Sequence, residues 1–274
     1  MKLATLRTPD GNVAVRVDGD TGIELGVTDV GQLLAMPEWD ARVHAADGPR
    51  HAIAEADFAP VVPAPGKILC VGLNYRNHIR EMGRDLPEYP TLFAKFTPAL
   101  IGAYDPIVLP AVSDAMDWEA ELAVVIGRTV RHGSAEEARA AIAGYAVLND
   151  VTARDWQNRT PQWLQGKTFE GTTPFGPYLV TPDEAGEGLA IGCDVDGEQM
   201  QDSDTADLVF DPVELIRYIS TILTLSPGDV IATGTPGGVG HARDPKRYLR
   251  DGAVLTTRIE GLGECRNPCR SEKP

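Results

Sequence analysis

Glu119 and Glu121 stand two residues apart where an apolar run, Leu122-Ala123-Val124-Val125-Ile126, begins. The run is β-branched at three positions and is stopped by Gly127, so it reads as a buried strand. In a strand, positions i and i+2 share a face, which sets the two carboxylates side by side at the entrance to the core. Each raises the other's pKa, and burying either one ionised is costly. A divalent cation relieves both problems. A solvated strand end with two surface glutamates is the alternative that these residues alone leave open.

Asp150 is the third carboxylate of interest, at the end of another apolar stretch, Tyr145-Ala146-Val147-Leu148. If that strand neighbours the first, three hard oxygen donors converge, a set suited to Mg²⁺, Mn²⁺ or Ca²⁺ and not to zinc. A strand-end aspartate that merely caps a loop would look the same. His78 and Glu81 are three apart, so on one helical turn they face the same way. A carboxylate beside an imidazole orients the ring and raises its basicity, the arrangement used to take a proton from water. A surface ion pair is the plainer alternative. Lys167 follows Gly166 in a polar and aromatic stretch, where an ammonium can pair with a substrate carboxylate or stabilise an oxyanion. Thr233-Gly234-Thr235-Pro236-Gly237-Gly238-Val239-Gly240 follows a short strand and can offer backbone N–H groups to a carboxylate. It is neither a Walker sequence nor GxGxxG, and a tight structural turn would use the same residues.

These residues need a scaffold. A chain of 274 residues with 43% hydrophobic residues can bury one large domain, or a large one and a small one. A net charge of -15 disfavours nucleic-acid backbones and anionic membranes as partners. No signal peptide and no membrane-spanning run is visible, so a cytoplasmic protein is expected. Cys70, Cys193, Cys265 and Cys269 are scattered, with no CxxC pair, which indicates neither a zinc site nor a disulfide framework.

Residues 1–62 read as a small β-rich N-terminal domain. Leu3–Arg7 and Val13–Val17 alternate around the turn signal Pro9-Asp10-Gly11-Asn12, and one or two short helices follow, the first after Thr28-Asp29. Val61-Val62-Pro63-Ala64-Pro65-Gly66 reads as a linker to a second domain over 67–274. There, strands are expected at Lys67–Leu73 and Leu92–Phe96. Asn74–Gly83 reads as a short helical segment with few apolar anchors. A capping box at Ser134/Glu137 predicts a helix through Ala143, and Asp211 with Pro212 and Glu214 predicts another that ends at Ser226-Pro227-Gly228-Asp229. Residues 151–172 read as loop. Many short strands, few helices and no βαβα alternation give an α+β, mostly-β protein.

Taken in order, these blocks resemble the fumarylacetoacetate hydrolase family. The resemblance rests on Gly72-Leu73-Asn74-Tyr75 with His78 and Glu81, Asp117-Trp118-Glu119-Ala120-Glu121-Leu122, Asn149-Asp150-Val151-Thr152-Ala153-Arg154-Asp155 with Gln157, Gly166-Lys167-Thr168-Phe169, and Thr233 to Gly240. It covers the chain from about Lys67 onward. It implies a mixed β-sandwich roll with a small N-terminal domain, a homodimer, and Glu119, Glu121 and Asp150 as ligands of Mg²⁺ or Mn²⁺, with Ca²⁺ a further fit. It implies His78 and Glu81 as a catalytic dyad on a lid, Lys167 as the catalytic lysine, and Arg154, Gln157 and Thr235 as substrate-binding residues. The substrate class implied is a 2-oxo acid with a second carbonyl or carboxylate. The expected reaction is metal-dependent hydrolysis of a C–C bond in an acylpyruvate- or fumarylpyruvate-like acid. Oxaloacetate decarboxylation, isomerisation or hydration of 2-hydroxyhepta-2,4-diene-1,7-dioate in aromatic catabolism, and a catalytically inactive cation-binding β protein are the rivals.

Overall fold

The computed structural model describes residues 1–81, 83 and 85–273, apart from the side chain of Glu81. The fold is mostly β. Its main sheet runs in the spatial order Arg50–Ala52, Thr21–Glu24, Gly11–Asp18, Lys2–Thr8, Thr173–Val180, Ile142–Asn149, Ala120–Ile126, Val230–Ala232, Ile68–Gly72 and Thr91–Lys95. A second sheet holds Glu198–Asp204, Ala190–Val195, Val254–Ile259, Gly263–Ser271 and Ile107–Leu109.

The Ala120–Ile126 strand is buried at every position and pairs on both sides. That explains the apolar run Leu122–Ile126, with Glu121 near its start as the one buried charge-bearing residue of the strand. Its antiparallel partner is Ile142–Asn149, with Ala120 opposite Asn149. This pairing carries Asp150 to the same end of the sheet as Glu119. The first hairpin forms as expected, with Thr8 opposite Gly11 across Pro9-Asp10. Its first strand also pairs with Thr173–Val180, Lys2 opposite Val180, so the N-terminal strands continue the central sheet.

Two boundaries differ from expectation. The helix capped by Ser134 stops at Ala140, because Ile142 and Ala143 already belong to a strand. Sheet pairing there overrides the helix preference of an alanine-rich stretch. The helix capped by Asp211 is Pro212–Ile222 and ends well before Ser226. The expected Ser134/Glu137 capping box is present, and Asp211 with Glu214 forms a second one beyond the expected helix start. These two helices pack together, and their apolar residues meet Val124, Ile126 and Ile231 from the sheet in one buried cluster. All four cysteines are free and buried.

Candidate active site

Three carboxylates meet at the end of the central strands. Glu119, Glu121 and Asp150 are all buried, and one oxygen from each lies within 4.8 Å of the others. The backbone sets this up. Asp150 N–H donates to the Glu119 carbonyl at 2.8 Å, and Glu119 N–H donates to Asn149 Oδ1 at 2.9 Å. Glu121 Oε2 accepts from Gly234 N–H at 2.9 Å. Gly234 sits at φ +101, and a Cβ there would lie 2.9 Å from the Val71 carbonyl, so the close approach of this loop requires glycine.

Lys167 Nζ bridges Glu119 Oε2 at 2.6 Å and Asp150 Oδ2 at 2.8 Å. Lys95 Nζ takes the other Asp150 oxygen at 2.6 Å. Burial pushes the Asp150 carboxyl up, but the ammonium groups of Lys167 and Lys95 outweigh it and hold it at about 2. Burial alone would lower the Lys167 pKa; Asp150 and Glu119 outweigh it and raise it, so the side chain is an ammonium. Glu121 differs. Burial, Asp150 and Glu119 all raise its pKa well above the carboxylate range, and among the described residues no ammonium or guanidinium pairs with it. Ionised, Glu121 would add a negative charge that the cluster's cations do not match, so without a metal it keeps its proton. A buried all-oxygen donor set whose third carboxyl needs a cation in order to ionise fits a hard divalent cation.

Arg154 follows a short strand and opens a four-residue helix, Arg154–Gln157, in the stretch expected to be loop. A second, Leu164–Lys167, presents Lys167. Arg154 gives Nε to Asp117 Oδ2 at 2.8 Å, Nη1 to Gln157 Oε1 at 3.0 Å and Nη2 to Glu119 Oε1 at 2.7 Å. Thr235 accepts from Gln201 Nε2 at 2.8 Å, while Gln201 Oε1 accepts from Ala120 N–H at 2.9 Å.

One cavity of about 300 Å³ brings together Glu119, Glu121, Arg154, Gln157, Lys167 and Thr235 with His78. Asp150 lies behind Lys167. His78 is buried on the helix Arg76–Glu81; the Glu81 side chain expected beside it lies outside the described residues. The segment is better anchored than its sequence suggests. Tyr75 and Ile79 are fully buried, Asn74 Nδ2 donates to the carbonyls of Phe210 and Thr233, and Asn77 N–H donates to Asp207 Oδ2. The partners come from a distant loop that the local pattern does not show.

Lys95, Asp117 and Gln201 are site residues that the sequence reading missed. A signal for Lys95 existed, since it shares a strand face with Phe93, which lines the cavity. Phe93 meets Trp163 edge to face at 5.4 Å between ring centroids. Trp163 in turn lies over Gly72, where a Cβ would come within 2.3 Å of Cζ3. Gly72→Ala is therefore expected to push the Trp163 ring off its seat, at a cost of about 1–3 kcal/mol. A shifted tryptophan fluorescence maximum together with a lowered melting temperature is the expected result. An unchanged spectrum and melt would remove Gly72 as the seat of the cavity wall.

A buried carboxylate trio flanked by lysine, arginine and histidine, in a mostly-β α+β fold, defines a candidate divalent-cation centre with acid–base groups around it. The family model "Fumarylacetoacetate (FAA) hydrolase C-terminal" matches residues 67–270. Oxaloacetate tautomerase FAHD2A, mitochondrial, of Bos taurus is 47% identical over 214 residues, 77% of this chain and 68% of the relative. A fumarylacetoacetate hydrolase from psychrophilic Exiguobacterium antarcticum superposes with a TM-score of 0.90 at 33% identity, over 99% of this chain and 100% of that one. A 5-carboxymethyl-2-hydroxymuconate delta-isomerase from Mycobacterium smegmatis does so with a TM-score of 0.84, again at 33% identity and over 99% and 100%. The chain belongs to the fumarylacetoacetate hydrolase family, a family of enzymes that act on small molecules. Among the described residues, no helix is long and apolar enough to cross a membrane.

Proposed function

We propose that the chain is a divalent-metal-dependent enzyme that moves a proton on the carbon next to the carbonyl of a 2-oxo acid, with keto–enol tautomerisation of oxaloacetate as its first candidate reaction. One observation carries this reading: Glu119 and Glu121 of the oxygen-donor trio, the Lys167 ammonium that Asp150 holds, and the His78 imidazole border a single cavity. Glu119, Glu121 and Asp150 would hold Mg²⁺ or Mn²⁺, and the bound cation supplies Lewis-acid polarisation of the substrate's oxygens. Lys167, fixed by Glu119 and Asp150, offers its remaining N–H to developing negative charge on the 2-oxo oxygen. His78 carries the proton between carbon and oxygen, Gln157 and Arg154 shape the polar wall, and the Thr235 hydroxyl, accepting from Gln201, is left to donate to the substrate carboxylate. Glu81 is proposed as the partner that orients His78.

The bovine relative's name supports tautomerisation as the first choice. C–C hydrolysis of an acylpyruvate is the second reading, favoured by the similarity to the Exiguobacterium hydrolase. It uses the same groups, with His78 taking its proton from water. We further propose a cytoplasmic homodimer whose residues 67–274 form the catalytic domain and whose residues 1–62 are the smaller unit built onto it.

Enol absorbance tests the reading. Purified protein with Mg²⁺ or Mn²⁺ is expected to speed decay of enol-oxaloacetate to its keto form without release of CO₂ or pyruvate, and a chelator is expected to abolish the effect. Pyruvate appearing in step with the absorbance change would turn the assignment to decarboxylation. Cleavage of acylpyruvates with no effect on oxaloacetate would turn it to hydrolysis.

A further inference from the structure

The cavity wall just beyond the Thr233–Gly240 loop carries His241. Its backbone N–H donates to Asp117 Oδ2 at 3.0 Å, the same oxygen that accepts Arg154 Nε at 2.8 Å. One carboxylate oxygen thus fixes both residues side by side. The ring is fixed as well: Nδ1 lies 2.8 Å from the Tyr248 hydroxyl, seven residues along the chain. Among the described residues, no group bonds the other ring nitrogen, Nε2. His241 and Ala242 line the same cavity as Glu119 and Lys167.

The chemistry of the pair follows. Burial, Lys246 and Arg154 lower the His241 pKa, so at neutral pH the ring is uncharged. Burial and Asp117 raise the Tyr248 pKa, which keeps its hydroxyl proton available. We take the tautomer in which Tyr248 donates to Nδ1 and the ring proton sits on Nε2. The result is one N–H donor, held at backbone and ring, beside a guanidinium that reaches on to Glu119 of the trio. A donor held in advance loses little entropy when it binds.

We propose that His241, set by Tyr248, is a specificity-determining residue that receives a second carboxylate at the end of the substrate away from the 2-oxo group. This rests on the 2-oxo acid reading of the site and adds to it the residue that selects dicarboxylic over monocarboxylic substrates. Arg154 supplies positive potential at the same corner.

The test compares oxaloacetate with pyruvate, which differ by that carboxylate alone. Binding to the Mg²⁺-loaded protein is measured by calorimetry, with the heat of any turnover recorded in a separate run at catalytic protein concentration and subtracted. The wild type is expected to bind oxaloacetate more tightly. His241→Val is expected to cut that preference by roughly ten-fold or more, the effect of losing one hydrogen bond to a charged group. Tyr248→Phe, which removes the partner and keeps the imidazole, is expected to cut it by roughly three-fold. An equal loss of both ligands in His241→Val, or a wild type with no preference or no binding of either, overturns the proposal. Preferential binding without turnover supports it and counts only against the catalytic reading.

Discussion

Asp150→Ala is expected to destabilise the protein by about 3–5 kcal/mol, the usual cost of breaking a buried ion pair by removing one partner. Asp150 is fully buried, each of its oxygens accepts from a different lysine, and both lysines are themselves buried. Removing the carboxylate leaves the Lys95 ammonium, among the described residues, with only the Val151 carbonyl, at 3.4 Å. Lys167 keeps Glu119. At roughly 2–4 °C per kcal/mol for a chain of this size class, the melting temperature should fall by several degrees at least. Adding Lys95→Met to the variant removes the stranded charge and should restore part of the loss. A loss below about 1 kcal/mol, or no recovery in the double variant, would show that the trio's charges are more hydrated than the structure places them.

The same cluster sets the response to pH and to metal. The depressed Asp150 pKa, about 2 in the folded metal-free protein, contributes stability that is present above its unfolded value of about 3.9 and is lost as pH falls towards 2. Glu121 has the opposite sign. Its raised pKa means that the folded state holds a proton the unfolded chain releases, so metal-free stability falls as pH rises above about 4.3. A cation bound to the trio removes the Glu121 penalty. Mg²⁺ or Mn²⁺ should therefore raise the melting temperature at neutral pH, by the equivalent of about 2.7 kcal/mol at a hundred-fold excess over Kd. Asp150→Ala should abolish that increment.

Much of this site was legible in the sequence because its signals are local. The spacing of Glu119 and Glu121 pointed to one cluster, which they form, and the apolar run behind them marked the strand, although it begins at Ala120, just after Glu119. The Pro9-Asp10 turn, the Ser134/Glu137 capping box and the helix start at Asp211-Pro212 needed no distant partner either. What stayed hidden depends on contacts far along the chain. Lys95 becomes a site residue only because its strand lies near Asp150, 55 positions away. Gln201 reaches Ala120 across 81 positions, and Asp117 reaches Gly240 across 123. The helix Leu164–Lys167 is short enough that its pattern cannot be told from loop. Pairing of the N-terminal strand with Thr173–Val180 was equally unreadable, since edge residues such as Lys2 carry no mark of their partner.

His78→Ala should separate the chemistries that this scaffold can host. Tautomerisation needs a group that carries a proton between carbon and oxygen, and hydrolysis needs a base for water. Removing such a group typically costs 10²- to 10⁴-fold in rate, about 3–5 kcal/mol of barrier. Decarboxylation of a β-oxo acid breaks its bond without that proton transfer and depends on stabilising the enolate that remains. Glu119→Ala acts differently, because Glu119 is both a member of the oxygen trio and the partner of Lys167 and Arg154. It should abolish all three activities. The expected pattern at saturating Mg²⁺ is a fall of at least about a hundred-fold in kcat for oxaloacetate tautomerisation in His78→Ala. Any acylpyruvate hydrolysis should fall alongside it, and any decarboxylation should be largely spared. Buried His78 lines the cavity beside the trio, so the loss should sit in kcat more than in KM. An equal loss of decarboxylation would mean that His78 acts through closing the cavity or returning a proton to the enolate. A rise in KM alone would make it a binding residue, and its assignment as the proton carrier would be withdrawn.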